Sequence, residues 1–283
     1  MSALAYLARR FVAGETMPAA VEAVKALNQK NVMTSLDLLG EDVTSREEAI
    51  QARDAYLALL EKIKADNVDS NVSLKLTQMG LDLDEEFCFA LVDAVVQKAK
   101  DYGNFVRLDM EGSAYTQRTI DMFKRLFQKH GNHVGVVLQA YLHRSEEDAR
   151  ALGAIGAPIR VCKGAYKEPT SIAYKDMDDI RHSYQSMVQI LLKAGSKVGI
   201  ATHDDKLVNW AKGWTKENNI PTSQFEFQFL YGLKRSLAIK LAAESYQVRA
   251  YVPFGSHWMP YFIRRLRERK ENVFFVIKGL FEN

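Results

Sequence analysis

The sequence has 283 residues, of which 47% are apolar and 26% carry a charge. These proportions are those of a folded protein, and they exclude a disordered, collagen-like or low-complexity chain. The 38 Lys and Arg nearly balance the 35 Asp and Glu, so the net charge of +3 gives no indication of a nucleic-acid partner. The two cysteines, Cys88 and Cys162, are too few for a disulfide framework and fit no zinc motif. We therefore expect a reducing, cytoplasmic compartment and no metal.

No targeting segment is expected at either end of the chain. Arg9 and Arg10 follow the first apolar stretch, whereas a secretory signal carries its positive charge before that stretch. No apolar run approaches the ~20 residues that cross a bilayer. The apolar tail at 272–281 is interrupted by Lys278 and Gly279, which favours a last element packed on the core. The alternative is a peripheral contact of this tail with the inner face of the cell membrane.

Short apolar runs alternate with longer amphipathic stretches along the chain. Residues 1–30 precede the first run and are predicted to form an N-terminal helical arm, through which copies of the chain could associate. Residues 31–283 contain eight strand-like runs, at 32–40, 71–80, 105–112, 134–141, 158–165, 196–204, 225–232 and 247–255. Helices are predicted at 45–64, 84–100, 114–129, from 145 onward, 174–194, 205–217 and 234–245. Ser45 and Glu48 form a capping box at the start of the first of these helices.

Strands that alternate with helices through short loops favour a parallel sheet with right-handed crossovers. Eight such units in about 250 residues have the size of a (βα)8 barrel. The predicted fold is therefore an α/β fold in which residues 31–283 form a (βα)8 barrel, with a final helix over the barrel mouth.

The strand residues predicted to point into the barrel are unusually polar. Alternation places apolar residues such as Val106, Leu108 and Met110 on the helix-facing side and their neighbours inside. Barrel interiors are normally filled by Val, Ile and Leu, and an unpaired buried charge costs several kcal/mol. The polar side chains predicted inside are Ser73, Lys75, Thr77, Arg107, Asp109, Glu111, Gln139, Tyr141, Arg160, Cys162, His203, Glu226, Gln228, Arg249 and Tyr251.

These inward charges fall into two layers. Arg107, Glu226 and Arg249 form the lower layer, which fits either a closed salt-bridge network at the barrel floor or part of a ligand site. The upper layer lies at the carboxyl ends of the strands, where barrel active sites lie. Its members are Lys75, Asp109, Gln139, Arg160 and His203.

A second polar feature follows the last strand. Tyr261, Arg264 and Arg265 are spaced i, i+3 and i+4, so they share one helix face immediately above the barrel mouth. Arg grips carboxylate oxygens two at a time, so an aromatic ring beside two guanidinium groups indicates a carboxylate site. A solvated basic helix is the alternative for the run 264–270 as a whole.

Eight segments occur in order that together resemble one enzyme family. They are SLKLT at 73–77, RLDME at 107–111, LQAY at 138–141, RVCKGAY at 160–166, ATHD at 201–204, FEFQFL at 225–230, RAYVPFG at 249–255 and YFIRR at 261–265. The chain from about Leu36 onward resembles proline dehydrogenase in its short monofunctional bacterial form. The resemblance implies a barrel that binds FAD and oxidises L-proline to Δ1-pyrroline-5-carboxylate. Hydride would pass from proline C5 to flavin N5, and a membrane quinone would be the final acceptor.

The resemblance also assigns roles to individual residues. Asp109 and Arg160 are the catalytic candidates, Arg160 beside the isoalloxazine and Asp109 as a polar anchor that could take the amine proton. The substrate-binding positions are Lys75, Arg264 and Arg265 on the carboxylate, and Leu230, Tyr251 and Tyr261 around the ring. The cofactor-binding positions are Met110, Gln139, Arg160, Lys163, Gly164, Ala165, Thr202 and His203. Lys167 departs from the aromatic residue that longer bifunctional members carry beside the adenine, and the role of Tyr166 stays open.

Three other functions fit parts of the pattern. A Schiff-base lyase or aldolase on the same barrel would use Lys75 or Lys163 as the amine nucleophile. A different flavin barrel, such as a folate reductase, would not need the carboxylate-binding face at 261–265. A nucleic-acid binder would use the basic run at 264–270, but that run has no interleaved aromatic platform.

Overall fold

The chain folds into a closed barrel of eight parallel strands that pair in chain order, with β8 returning to pair with β1. The computed structural model describes residues 10–268, apart from the side chains of residues 264 and 266–268. The strands are β1 (Met33–Leu38), β2 (Ser70–Leu74), β3 (Val106–Leu108), β4 (Val134–Gln139), β5 (Ile159–Cys162), β6 (Val198–Ala201), β7 (Phe225–Leu230) and β8 (Val248–Phe254). The predicted (βα)8 barrel is confirmed.

The helices pack around the outside of this barrel. They are α1 (Met17–Asn28), α2 (Arg46–Ala65), α3 (Glu85–Asp101), α4 (Ser113–His130), α5 (Ser145–Gly153), α6 (Met177–Lys193), α7 (Asp205–Glu217), α8 (Arg235–Ala243) and α9 (Trp258–Glu268). The predicted capping box opens α2, since Glu48 N–H donates to Ser45 Oγ and Ser45 N–H donates to Glu48 Oε2, both at 3.2 Å. The helix predicted from 174 begins at Met177, because Asp176 is its N-cap.

Strand alternation is confirmed within the strands and fails at Met110, beyond the end of β3. Val106 and Leu108 are fully buried in the layer between strands and helices, as predicted. The predicted strand 71–80 ends at Leu74, and a short 3-10 turn over Thr77–Met79 follows it. Met110 lies two residues past the end of β3 and lines the inner cavity, so its assignment to the helix-facing side was wrong. Alternation is not assured where the extended strand has ended, because the chain then turns.

The N-terminal helix is part of the main core. Ala20, Val24 and Leu27 of α1 belong to the same buried cluster as the strands. Before α1, Ala13 N–H donates to the Pro253 carbonyl at 2.9 Å, which ties this segment to β8. Within residues 10–268 no helix has both the length and the apolarity of a bilayer span. Residues 1–9 of the predicted arm and the tail at 272–281 lie outside the described residues.

Candidate active site

A cavity of about 510 Å³ opens at the carboxyl ends of the strands, where the inward-facing polar residues converge. Its lining includes every site residue predicted from the sequence except Arg264, whose side chain is not described. These residues are Lys75, Asp109, Met110, Gln139, Arg160, Lys163, Gly164, Ala165, Thr202, His203, Leu230, Tyr251, Tyr261 and Arg265. Tyr166 and Cys162 also line the cavity, whereas Lys167 is exposed.

Arg160 and Asp109 form a buried ion pair at the centre of this cavity. Arg160 Nη1 donates to Asp109 Oδ1 at 2.7 Å, and the Tyr251 hydroxyl donates to Asp109 Oδ2 at 2.7 Å. The Arg160 guanidinium also lies 5.3 Å from the centre of the Tyr251 ring. Burial raises the pKa of Asp109 above its ordinary value, against the opposing charges of Arg160 and Lys75. The carboxyl therefore holds a proton more readily than an exposed aspartate does.

Lys75 is paired with Asp37, a residue that was not predicted to belong to the site. Lys75 Nζ donates to both carboxylate oxygens of Asp37, at 3.2 and 3.1 Å, and Asp37 is fully buried. Burial lowers the pKa of Lys75, but the negative charges of Asp37 and Asp109 outweigh it and leave the pKa above its ordinary value. Lys75 is thus a fixed cation. The available signal was that Asp37 is the only charged residue in the run 32–40.

The floor below the cavity contains one of the salt bridges of the predicted network, and Arg107 is not part of it. Arg249 Nε donates to Glu226 Oε1 at 2.8 Å, which confirms that pair. Arg107 instead donates to the backbone carbonyls of Val136 and Pro158, at 3.0 and 2.7 Å. A carbonyl accepts from an inward arginine as well as a carboxylate does, so the sequence could not distinguish the two.

The loops after β5 and β6 shape one side of the cavity. Gly164 has φ +108°, and a Cβ atom there would lie 2.3 Å from the Tyr141 ring, so only glycine fits. His203 accepts a hydrogen bond at Nε2 from the Leu230 N–H, at 3.0 Å, which leaves Nδ1 as the protonated nitrogen of a neutral ring. Lys163 Nζ lies 3.1 Å from Asp204 Oδ2. This side therefore combines close backbone approach with several hydrogen-bonding groups.

Helix α9 closes the mouth of the barrel, as predicted. Tyr261 is buried, and the Arg265 guanidinium lies 5.2 Å from the centre of its ring. Phe262, on the same helix, packs against Phe11 with ring centres 6.1 Å apart. The Trp258 Nε1–H donates to Glu15 at 2.9 Å. The segment before α1 thus holds α9 in place over the cavity.

A second cavity, of about 540 Å³, lies beside the first and shares Lys75 and Tyr261 with it. The loop after β1 lines it with Glu41 and Asp42. Burial, with the charges of Glu41 and Asp82, raises the pKa of Asp42. Lys75 and Tyr261 therefore lie between the second cavity and the main cavity.

Replacing Asp204 by asparagine tests the charge at the rim of the cavity. Burial opposes ionisation of Asp204, but hydrogen bonds from Arg181 and Lys163 bring its pKa down to about 2. A lowered pKa stabilises the fold above about pH 4, and that stabilisation disappears as the pH falls towards 2. Asp204→Asn should therefore cost about 1–2 kcal/mol of unfolding free energy at pH 7 and almost nothing near pH 2. Because asparagine caps α7 as well as aspartate does, a loss independent of pH in urea titrations would contradict this.

Within the described residues no cluster of three or more His, Cys, Asp and Glu side chains could hold a metal ion. The cavity instead presents cations at its mouth, a buried ion pair at its centre and hydrogen-bonding groups along one side. These features define a (βα)8-barrel enzyme whose site suits a small carboxylate beside a larger flat ligand.

Comparisons with known proteins identify the family. The family model described as proline dehydrogenase matches residues 20–278. Proline dehydrogenase from Deinococcus radiodurans is 40% identical over 278 residues, covering 97% of this chain and 90% of that protein. Proline dehydrogenase 1 from Bacillus subtilis (strain 168) is 39% identical over 273 residues, covering 96% of this chain and 90% of that protein. The chain belongs to the proline dehydrogenase family, as its motifs predicted, and is therefore an oxidoreductase of proline catabolism.

A solved structure of a larger protein has the same fold. Proline utilization A (PutA) from Bdellovibrio bacteriovorus, inactivated by N-propargylglycine, is 25% identical with a TM-score of 0.86. The match covers 93% of this chain but only 32% of that protein, so the chain corresponds to about a third of its length.

Proposed function

We propose that this protein oxidises L-proline to Δ1-pyrroline-5-carboxylate, with FAD bound along the cavity and a quinone as the final electron acceptor. The observation that carries the proposal is the convergence of Lys75 and Arg265 with Tyr251, Tyr261 and Leu230 on one cavity. A small zwitterion with an apolar ring needs this combination of cations and apolar walls.

The carboxylate of proline would be held at the mouth. Lys75 contributes a cation that Asp37 fixes in position through two hydrogen bonds. Arg265 adds a planar guanidinium, which matches a carboxylate in shape and charge. We propose that Arg264 contributes in the same way. Groups that hold the ring in one orientation can lower the barrier by roughly 7–11 kcal/mol in favourable cases, because the orientation is set before the reaction.

The rest of the cavity fits a flavin. Gly164 allows the backbone to approach a flat ring closely, and a side chain there would collide with Tyr141. Arg160 and Gln139 are buried and line the cavity, and Arg160 is paired with Asp109. A cation there would stabilise negative charge on a reduced isoalloxazine. Lys163, Thr202 and His203 would contact the ribityl, phosphate or adenine portion. FAD, when bound, supplies the two-electron acceptor for hydride from C5 of proline.

The substrate amine has to lose its proton before its lone pair can assist the oxidation. Asp109 is the candidate acceptor, because burial raises its pKa and it lies in the cavity. Both of its oxygens already accept a hydrogen bond, from Arg160 and from Tyr251. These two donors hold the Asp109 carboxylate in one orientation within the cavity.

The Schiff-base alternative is not supported at Lys75. A lysine that attacks a carbonyl needs a lowered pKa so that its amine is neutral. The Asp37 carboxylate instead raises the pKa of Lys75 and keeps the side chain cationic. Lys163 is likewise held by a carboxylate, that of Asp204.

An absorption spectrum before and after anaerobic addition of L-proline tests the proposal. The purified protein should be yellow, and proline should bleach its flavin bands. A short-chain quinone should then restore the colour, while NAD⁺ should not. A colourless protein that borohydride traps with a carbonyl substrate would instead support the Schiff-base enzyme.

We further propose a cytoplasmic enzyme that meets its quinone at the inner face of the cell membrane. Cys88 and Cys162 form no disulfide with each other, which suits a reducing compartment. The tail at 272–281 is the proposed membrane contact, and residues 1–30 are proposed as the arm through which copies associate. Sedimentation with and without vesicles, using the full chain and a chain shortened at residue 271, tests the membrane contact of the tail. Sedimentation equilibrium of the full chain tests whether copies of the chain associate.

A further inference from the structure

Gln228 links the floor of the barrel to the candidate active site through both ends of its amide group. It lies in β7 and is 4% exposed. Its Nε2 donates to Glu226 Oε1 at 2.5 Å, and its Oε1 accepts from Arg160 Nε at 2.5 Å. The amide therefore bridges an anion below it and a cation above it.

The floor determines which way this amide points. Burial opposes ionisation of Glu226, but the charge of Arg249 and its hydrogen bonds keep the pKa of Glu226 below its ordinary value. A carboxylate only accepts hydrogen bonds, so the NH₂ group of Gln228 has to face Glu226. The amide oxygen is then directed at Arg160, and a flipped amide would place two donors against each other.

Gln228 completes the set of contacts around the Arg160 guanidinium. Nη1 donates to Asp109 at 2.7 Å, Nη2 donates to Ser73 Oγ at 3.2 Å, and Nε donates to Gln228. Asp109 balances the charge of Arg160 with or without Gln228. The contact at Nε restricts rotation of the guanidinium about that ion pair, because it lies on a different edge of the planar group.

The neighbouring strand leaves room for this side chain. Gly199 in β6 lies opposite Glu226 in the ladder. A Cβ atom at Gly199 would lie 2.5 Å from Gln228 Nε2 and 2.9 Å from its Cδ. The Gly199 backbone does not need glycine for its own conformation, since no left-handed φ occurs there. Gly199→Ala therefore displaces the end of Gln228 without straining the strand.

We propose that Gln228 is a positioning residue that orients the Arg160 guanidinium towards the reacting end of the cavity, with Glu226 and Arg249 fixing its amide. This inference rests on the proposed function, in which Arg160 faces the isoalloxazine. Gln228 acts through Arg160. Its loss should therefore change the rate of hydride transfer and the flavin midpoint potential more than the dissociation constant for proline.

Two variants test this in the FAD-loaded full chain. Gln228→Leu removes both hydrogen bonds, and Gly199→Ala displaces the amide while keeping it. Both should reduce the rate constant of flavin reduction by proline, by about 100-fold for Gln228→Leu, since small misplacements of reacting groups can cost that much. The flavin midpoint potential should become more negative, and the proline dissociation constant should stay within about twofold, because Lys75 and Arg265 are untouched.

Gly213→Ala is the matched control, because a Cβ atom at this glycine of α7 meets nothing within 4 Å. It should behave as the wild type does. If wild type is bleached by proline but both variants keep its potential and rate constant, the positioning role is wrong. A rise in the proline dissociation constant that matches the fall in rate would equally contradict it. If Gln228→Leu does not fold, Gly199→Ala decides alone. A wild-type protein that proline does not bleach refutes the proposed function itself, which is a different result.

Discussion

Replacing Lys75 by methionine is expected to reduce kcat/KM for proline by about 100- to 1,000-fold. The carboxylate of bound proline would lose a buried cation, and the loss of one partner of such a charge pair costs about 2–5 kcal/mol. The same change should lower the free energy of unfolding by about 3 kcal/mol. Methionine keeps the apolar length of lysine, so the cause is the missing charge. Asp37 would then be a fully buried carboxylate without its cation. Steady-state kinetics and urea denaturation measure the two effects.

A double variant separates the role of Lys75 in folding from its role in catalysis. Lys75→Met combined with Asp37→Asn removes both charges, so most of the lost stability should return. Activity should stay as low as in the single variant, because the cation for the substrate carboxylate is still missing. Recovery of activity together with stability would show that Lys75 only balances Asp37. Stability that does not recover would show that the buried charge is not the cause of the defect.

Replacing Arg265 by methionine is expected to raise the KM for proline by about 100-fold. A guanidinium that grips a carboxylate makes charge-assisted hydrogen bonds, and their loss costs about 3 kcal/mol at a desolvated site. Arg265 lies at the mouth beside Tyr261, on a different element from the central pair of Arg160 and Asp109. The visible flavin spectrum should therefore change little.

Arg150→Met is the matched control for this variant. Arg150 is exposed on α5, where it pairs only at the surface with Glu146, at 3.5 Å. Its replacement should alter neither KM nor the spectrum, because surface ion pairs contribute at most about 1 kcal/mol. Equal KM values in Arg265→Met and the wild type would remove Arg265 from the substrate site.

The site illustrates where sequence patterns stop being informative. Strand alternation correctly placed Arg160, within β5, inside the barrel, because alternation is a local property of extended chains. It also placed Lys75 and Asp109 correctly, each of which lies one residue past the end of its strand. It misplaced Met110, which lies beyond the end of β3 where the extended geometry no longer holds. The pairing of Lys75 with Asp37 was missed, since two residues 38 positions apart are brought together only by the ladder between β1 and β2.

The amino-acid sequence alone determined the class of fold, the inward-facing charges and the family, because periodicity, strand count and ordered motifs are all properties of the linear chain. Only the tertiary structure decided which charge meets which. Asp109 and Tyr251, 142 positions apart, become hydrogen-bonded neighbours once the barrel closes. In the closed barrel Arg107 donates its hydrogen bonds to the backbone carbonyls of Val136 and Pro158, whereas the sequence had suggested a salt bridge with Glu226. Partners inside a closed barrel are selected by distances across the lumen, and sequence spacing carries no information about those distances.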